Sequence, residues 1–223
     1  MQIVPAILTS DINSFWDQLY KLSPYYDYFQ IDIMDGTYGE NRTISLSDIK
    51  QTLNKHQNLL KKIKFDFQLI TKSPENFYEI INKLKTQLSI NCVYFHYKIN
   101  PDINLLYGEL GIEIGIAIDP DDSIAEFVGK FDIKVIKNII LMTVFPRAQG
   151  QVFLEYPLNK IEQLRSAGYR YNISVDGGVN NITLPIILSK KNRPDFLNIG
   201  SYFSKADNIR DSVKKINLII QAS

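Results

Sequence analysis

The stretch Gln30-Ile-Asp32-Ile-Met34-Asp35-Gly36 closes an apolar run that begins at Tyr28. Side chains alternate across a strand, so Gln30, Asp32 and Met34 share one face and Ile31 and Ile33 the other. An amide and a carboxylate on the inward face of a central strand are costly unless they are used or paired. Similar short apolar runs alternate with longer amphipathic stretches along the whole chain. Strands are predicted at 2–8, 28–34, 62–69, 92–96, 113–118, 136–143, 172–175 and 196–199. These near-continuous β-branched and aromatic runs suit strands buried on both faces of a parallel sheet. Helices are predicted to begin near Asp11, Ser45, Ser73, Asp102, Asp122, Pro157, Asn181 and Asp207, several of them at capping residue types. Phe15, Leu19 and Leu22 recur at helical spacing, as do Phe77, Ile80, Ile81 and Leu84. Eight strands and eight helices in 223 residues allot about 28 residues to each unit, the size of one βα repeat. The expected fold is α/β, a single (β/α)8 TIM barrel spanning residues 1–223. The competing doubly wound open sheet would carry fewer strands or larger insertions.

Composition narrows the function. Hydrophobic residues make up 45% and charged residues 22%, as in a folded chain rather than a disordered one. Twenty-five Lys and Arg against 24 Asp and Glu leave a net charge of +1, which favours neither nucleic acid nor membrane as partner. One Cys excludes an internal disulfide framework, and two His exclude a His-rich metal centre. No run approaches the roughly 20 apolar residues that span a membrane. The opening residues 1–8 lack a basic leader and read as a first strand, so the expected location is cytoplasmic.

In a (β/α)8 barrel, catalytic groups sit where strands end and the following loops begin. Strand 2 ends with Asp32. Strand 7 ends Ser174-Val175-Asp176-Gly177-Gly178-Val179, a second carboxylate followed by a glycine pair that lets backbone approach a ligand. Strand 8 ends Asn198-Ile199-Gly200-Ser201. Loops after strands 7 and 8 are the usual phosphate site of such barrels, with backbone N–H groups aimed at the anion. Two strand-end carboxylates beside a phosphate grip point to acid/base work on a sugar phosphate, one taking a proton from carbon and the other returning one on the opposite face. The bland alternative is that Asp32 and Asp35 cap a helix or close a turn.

These motifs resemble the ribulose-phosphate 3-epimerase family, including relatives that act on hexulose phosphates. The family's opening Pro-Ser-Ile-Leu corresponds to Pro5-Ala6-Ile7-Leu8. Its His-Val-Asp-Val-Met-Asp-Gly corresponds to Gln30 through Gly36, and its Asp-x-His-Leu-Met to Asp66-Phe-Gln68-Leu-Ile70. His96 and Asp119-Pro120 fall at its strand 4 and strand 5 tips. Its strand 6 run corresponds to Met142-Thr-Val-Phe-Pro146-Arg-Ala-Gln-Gly150-Gln151, and its Val-Asp-Gly-Gly and Gly-Ser to Val175–Gly178 and Gly200-Ser201. The resemblance implies a metal-dependent proton transfer at C3 of a ketose phosphate through an enediolate. Asp32 and Asp176 would be the acid/base pair and metal ligands, with a small sugar phosphate as partner and a homo-oligomeric assembly. Gly177, Gly178, Gly200, Ser201 and Gly150 would hold the phosphate, and Met34 would line the pocket.

The departures fall on functional positions. Both metal-binding His of the family are Gln here, Gln30 and Gln68. Imidazole suits transition metals, whereas an amide oxygen is a weak, hard ligand. The implied cofactor is therefore Mg²⁺ or Mn²⁺ held by Asp32, Asp176, Gln30 and Gln68, or no metal, with no organic cofactor. In the metal-free case the Gln amides would be hydrogen-bond donors to the enediolate, or would tie down the aspartates of an inactive site. Arg147 replaces a lid glycine and adds a planar charged fork suited to phosphate or carboxylate; a solvated surface Arg is the alternative. Phe145 replaces an Asn, and Ala6 removes a hydroxyl. The alternative to an epimerase is a phosphosugar-binding barrel with a different reaction or none. His96 reads as a hydrogen-bonded barrel histidine, His56 as solvated, Cys92 as core, and Lys61-Lys62-Ile-Lys64 as a solvated edge on the face opposite the site.

Overall fold

The computed structural model of the chain describes residues 1–146 and 151–222. In chain order the elements are β1 (Gln2–Ile7), α1 (Ile12–Leu22), β2 (Tyr28–Met34), α2 (Leu46–Thr52), α3 (Gln57–Leu60), β3 (Lys64–Ile70), α4 (Tyr78–Leu84), β4 (Ser89–His96), α5 (Ile103–Leu110), β5 (Glu113–Ile118), α6 (Ile124–Lys130), β6 (Asn138–Met142), α7 (Asn159–Ser166), β7 (Asn172–Asp176), α8 (Leu184–Leu188), β8 (Phe196–Ile199), α9 (Ser201–Ser204) and α10 (Ile209–Gln221). Each strand pairs in parallel with the next, and β8 closes on β1, with Gln2 opposite Phe196 and Pro5 opposite Ile199. That closure is the expected (β/α)8 barrel and rules out the open sheet. No helix among the described residues is long and apolar enough to cross a membrane.

Short polar side chains start several helices by accepting an otherwise orphaned backbone N–H. Asp11 caps α1, Asp102 caps α5, and Ser45 with Asp48 forms a capping box on α2. Two boundaries shift by a residue: Ser123, not Asp122, caps α6, and Asn208, not Asp207, caps α10. Asp122 instead accepts from the backbone N–H of Asp119 at 2.7 Å. Strand β3 starts at Lys64 because Lys61, Lys62 and Ile63 still bond back to Gln57, Leu59 and Leu60 in the turn that ends α3. Strand β4 begins earlier than expected. Ile90 pairs with Phe65 and Cys92 with Asp66, so Asn91 is an extra residue that bulges the strand.

His56 is a correction. It is half-buried, its ring stacked on Trp16 with centroids 3.7 Å apart and its Nδ1 2.9 Å from the Tyr20 hydroxyl. The turn between Leu53–Lys55 and α3 folds the ring back onto α1.

The main core lies between barrel and helices, where α1 buries Phe15, Trp16, Leu19 and Leu22 against the strands. A smaller cluster holds Cys92, Tyr94, Ala117, Ile140, Met142 and Val144. Gly115 on β5 is what lets Tyr94 fit there, since a Cβ at that position would meet its ring at 2.4 Å.

Candidate active site

Strand register assembles the site at the C-terminal end of the barrel. Asp32 lies opposite Gln68, and Asp176 opposite both Met142 and Asn198. Gln30, two residues before Asp32, points to the same interior. Its Nε2 sits 2.7 Å from Asp32 Oδ1, 2.5 Å from Asp176 Oδ2 and 2.9 Å from Gln68 Oε1. Oxygens from three strands thus converge on one nitrogen, and the two carboxylates lie within two hydrogen-bond lengths of each other. Asn198 Nδ2 donates to Gln30 Oε1 at 2.5 Å. Gln68 Nε2 reaches His96 Nε2 at 3.1 Å and Met142 Sδ at 3.3 Å. On its far side, His96 Nδ1 meets Asp119 Oδ1 at 2.9 Å, and Asp119 Oδ2 accepts from Tyr38 at 2.6 Å. His96 is therefore the hydrogen-bonded barrel histidine that its position suggested.

The two carboxyls are electrostatically strained. Burial, then repulsion from Asp176, pushes Asp32 well above the usual carboxylate range, against the Gln30 hydrogen bond. Burial also lifts Asp176 to about 6, although Gln30 and Asn198 donate to it. Asp119 goes the other way. Burial works to raise it, but hydrogen bonding and attraction from His96, with help from Tyr38 and Lys98, hold it below its ordinary value. Asp35 does not join the site. It closes a turn, accepting from the Thr37 backbone at 2.9 Å and from the Thr71 hydroxyl at 2.5 Å. Asp35 thus closes a turn, as the bland alternative has it, whereas Asp32 is bonded by Gln30 within the barrel.

Asp32 and Asp176 open on a pocket of about 560 Å³, its mouth included, lined also by Met34, Gly177, Gly178, Gly200 and Ser201. Gln30 and Gln68 do not line it and lie buried beneath the aspartates, 1% and 0% exposed. Gly177 has φ +116°, and a Cβ there would meet Val144 Cγ2 at 2.6 Å and the Val144 backbone nitrogen at 2.8 Å. Only glycine allows this turn. Thr143 holds it, its hydroxyl donating to the Gly177 carbonyl at 2.6 Å and its backbone N–H to the Asp176 carbonyl at 2.7 Å. Ala6 and Phe145 stand in the apolar wall. Arg147 and Gly150 lie outside the described residues.

Sequence reasoning gave no role to Asn198, Asp119 or Tyr38. Asn198 carried the signal that exposed Gln30, a polar side chain on a short apolar strand. Asp119 stood at a strand tip. Tyr38 lies in a loop with no periodicity to mark it.

The donor set does not fit a divalent cation. Among the described residues no group of three or more His, Cys, Asp or Glu could hold one. The point where the oxygens of Asp32, Asp176 and Gln68 converge is filled by an N–H donor.

Fold and pocket define a (β/α)8 barrel with two buried carboxyls at the mouth and glycine turns beside them. The chain belongs to the Ribulose-phosphate 3 epimerase family, whose model matches residues 2–203. It is 26% identical to a ribulose-phosphate 3-epimerase of Helicobacter pylori, covering 100% of this chain and 99% of that protein. A ribulose-phosphate 3-epimerase of Methanocaldococcus jannaschii is also 26% identical, covering 97% and 89%. Among solved structures, 3-hexulose-6-phosphate synthase from Salmonella typhimurium superposes with TM-score 0.69 at 14% identity, covering 100% of this chain and 99% of that one. KGPDC from Streptococcus mutans in complex with D-R5P does so with TM-score 0.69 at 13% identity, covering 99% and 97%. The two structures share the fold. The family and the relatives' names support a function like that of ribulose-phosphate 3-epimerases.

Proposed function

We propose that the protein epimerises C3 of a ketose phosphate. The observation that carries this reading is the juxtaposition of Asp32 and Asp176, bridged by one amide nitrogen, on a pocket that also holds Gly177, Gly178, Gly200 and Ser201. The C3 proton of a 2-ketose lies next to the C2 carbonyl, so its removal gives an enediolate that is planar at the reacting carbons. One aspartate takes the proton from one face and the other returns a proton to the opposite face, inverting C3. Such a pair needs one carboxyl protonated and one ionised. Two buried carboxyls this close cannot both ionise readily, and both are shifted upward here. The glycine turns after β7 and β8 present backbone N–H groups to the phosphate and leave C2 and C3 toward the aspartates. Met34, Ala6 and Phe145 form the apolar wall along the sugar.

The test is solvent-deuterium incorporation at C3 across a panel of pentulose and hexulose phosphates. At least one should exchange and epimerise, and Asp32→Asn and Asp176→Asn should each slow the conversion by about 10²–10⁴-fold. A wild-type protein that binds ketose phosphates but never exchanges C3 would overturn the proposal.

A further inference from the structure

We propose that the Gln30 side chain takes the place of a divalent cation at the centre of this site: its amide nitrogen clamps the two aspartates, and the chain binds no metal ion there. This goes beyond the epimerase reading, because it concerns what holds the carboxyls rather than what they do to a substrate.

Position is the first argument. A cation gathering Asp32, Asp176 and Gln68 would have to stand among their oxygens. Gln30 Nε2 already does, at 2.7, 2.5 and 2.9 Å. Chemistry is the second. An amide NH₂ carries two hydrogens and no lone pair for a metal, so it supplies the positive end of a dipole where a cation would supply charge. Three acceptors surround its two hydrogens, which ties both aspartates to one point.

Orientation is the third argument, and the neighbours fix it. Exchanging the oxygen and nitrogen of Gln30 would set its carbonyl against two carboxyls and its NH₂ against the NH₂ of Asn198. Asn198 cannot turn to compensate, because its NH₂ also bonds Asp176. On the other side, His96 Nδ1 bonds Asp119 at 2.9 Å and His96 Nε2 lies 3.1 Å from Gln68 Nε2, so the tautomer that donates from Nδ1 lets Nε2 accept from Gln68. That turns Gln68 Oε1 toward Gln30. Hydrogen bonds of one direction thus run from Gln30 through Gln68 and His96 to Asp119, and a second set from Asn198 fixes the other end of the same amide. Burial completes the case, since Gln30 and Gln68 have no exposed path along which to swing away. Gln30 does not line the pocket, so it is a positioning residue and not a catalytic one.

The experiment reads cation binding on the whole protein without substrate, so it stays independent of whether C3 exchange is found. Thermal unfolding is followed with EDTA, Mg²⁺, Mn²⁺ or Zn²⁺, and bound metal is counted by elemental analysis. Wild type should hold far less than one ion per chain and shift by under about 1 °C with any of them, since only ligands that bind the folded state raise Tm. Gln30→Glu keeps the side-chain length but replaces the donor with a third carboxylate. It should unfold earlier in EDTA, bind about one ion, and regain about 5–10 °C at a cation concentration about 100-fold above Kd. The double variant Gln30→His, Gln68→His should gain Zn²⁺ in the same way and serves if Gln30→Glu does not fold. A stoichiometric ion in wild type, lost in Asp176→Asn, would overturn the proposal. So would folded variants that gain no ion, because the amide would then not be what excludes it.

Discussion

The two ends of the barrel interior both bury carboxyls, Asp66 of β3 at one end and Asp32 of β2 with Asp176 of β7 at the other, and they treat them differently. At the N-terminal end Asp66 accepts from the Tyr28 hydroxyl at 2.5 Å and from Asn91 Nδ2 at 3.0 Å, each donor aimed by its own strand. Asn91 is the bulged residue of β4, and the bulge is what turns its amide onto Asp66. Asp66 is sealed from solvent, 4% exposed. At the C-terminal end, two carboxyls and a glutamine carbonyl compete for one amide, beside an open pocket. Asp66 and Asp176 each accept from two side chains, but Asp66 stands alone and sealed, whereas Asp176 shares the Gln30 amide with Asp32 and both reach a pocket.

The largest expected effect tests the pocket end. Asp32→Asn and Asp176→Asn should each lower C3 exchange about 10²–10⁴-fold, the range a positioned acid or base supplies, while the fold survives. Asp66→Asn should leave exchange unchanged. Equal losses from Asp66→Asn would erase the distinction between the two ends.

Gly177→Ala comes next. Its φ of +116° and the approach of Val144 at 2.6 Å leave no place for a methyl group. The variant should lose about 3 kcal/mol of stability and bind ketose phosphate more weakly, read by denaturant unfolding and by calorimetric titration. Unchanged affinity would place the phosphate elsewhere.

The third prediction concerns pH. Burial raises Asp66 to about 6, offset by hydrogen bonds from Tyr28 and Asn91. The folded state then holds this proton more tightly than the unfolded chain, whose carboxyl titrates near 3.8. The stabilising contribution is complete below pH 4, declines as pH rises from about 4 to 6, and is gone above that. At 1.36 kcal/mol per unit the wild type should lose about 3 kcal/mol more than Asp66→Asn across that window. Parallel stability profiles for the two proteins would show that Asp66 does not titrate there.

The barrel was legible because its strands are buried on both faces and read as apolar runs whose number and spacing allow little else. Asp32 and Asp176 were legible for the opposite reason, being carboxylates where an apolar residue was expected. What stayed hidden was pairing. Nothing in the order of residues tells that Gln30 faces Asp176, 146 positions away, because that contact depends on barrel closure and register. Asn91 was missed because a bulge shifts the alternation that would have announced it. The stacking of His56 on Trp16 depends on a tight turn whose residues lack strong turn chemistry.

The smallest predicted effect probes whether the pocket end acts as one network. Tyr38 donates to Asp119, three hydrogen bonds away from Gln30 along the line through His96 and Gln68. Tyr38→Phe removes one hydrogen bond to a charged acceptor, a loss of about 1.5–3 kcal/mol if felt wholly in stability. Asp119 keeps its bond to His96 and the nearby Lys98 ammonium at 3.5 Å, so its charge stays satisfied and the His96 ring should hold its place. The expected result is a several-fold fall in kcat with KM little changed, because the tyrosine steadies the aspartates and does not enter the pocket lining. Tyr28→Phe, the matching change on Asp66, should cost stability and leave kcat alone. If both tyrosines behave alike in kcat, coupling runs through the whole barrel interior and the line of hydrogen bonds from Asp119 to Gln30 has no special part in it.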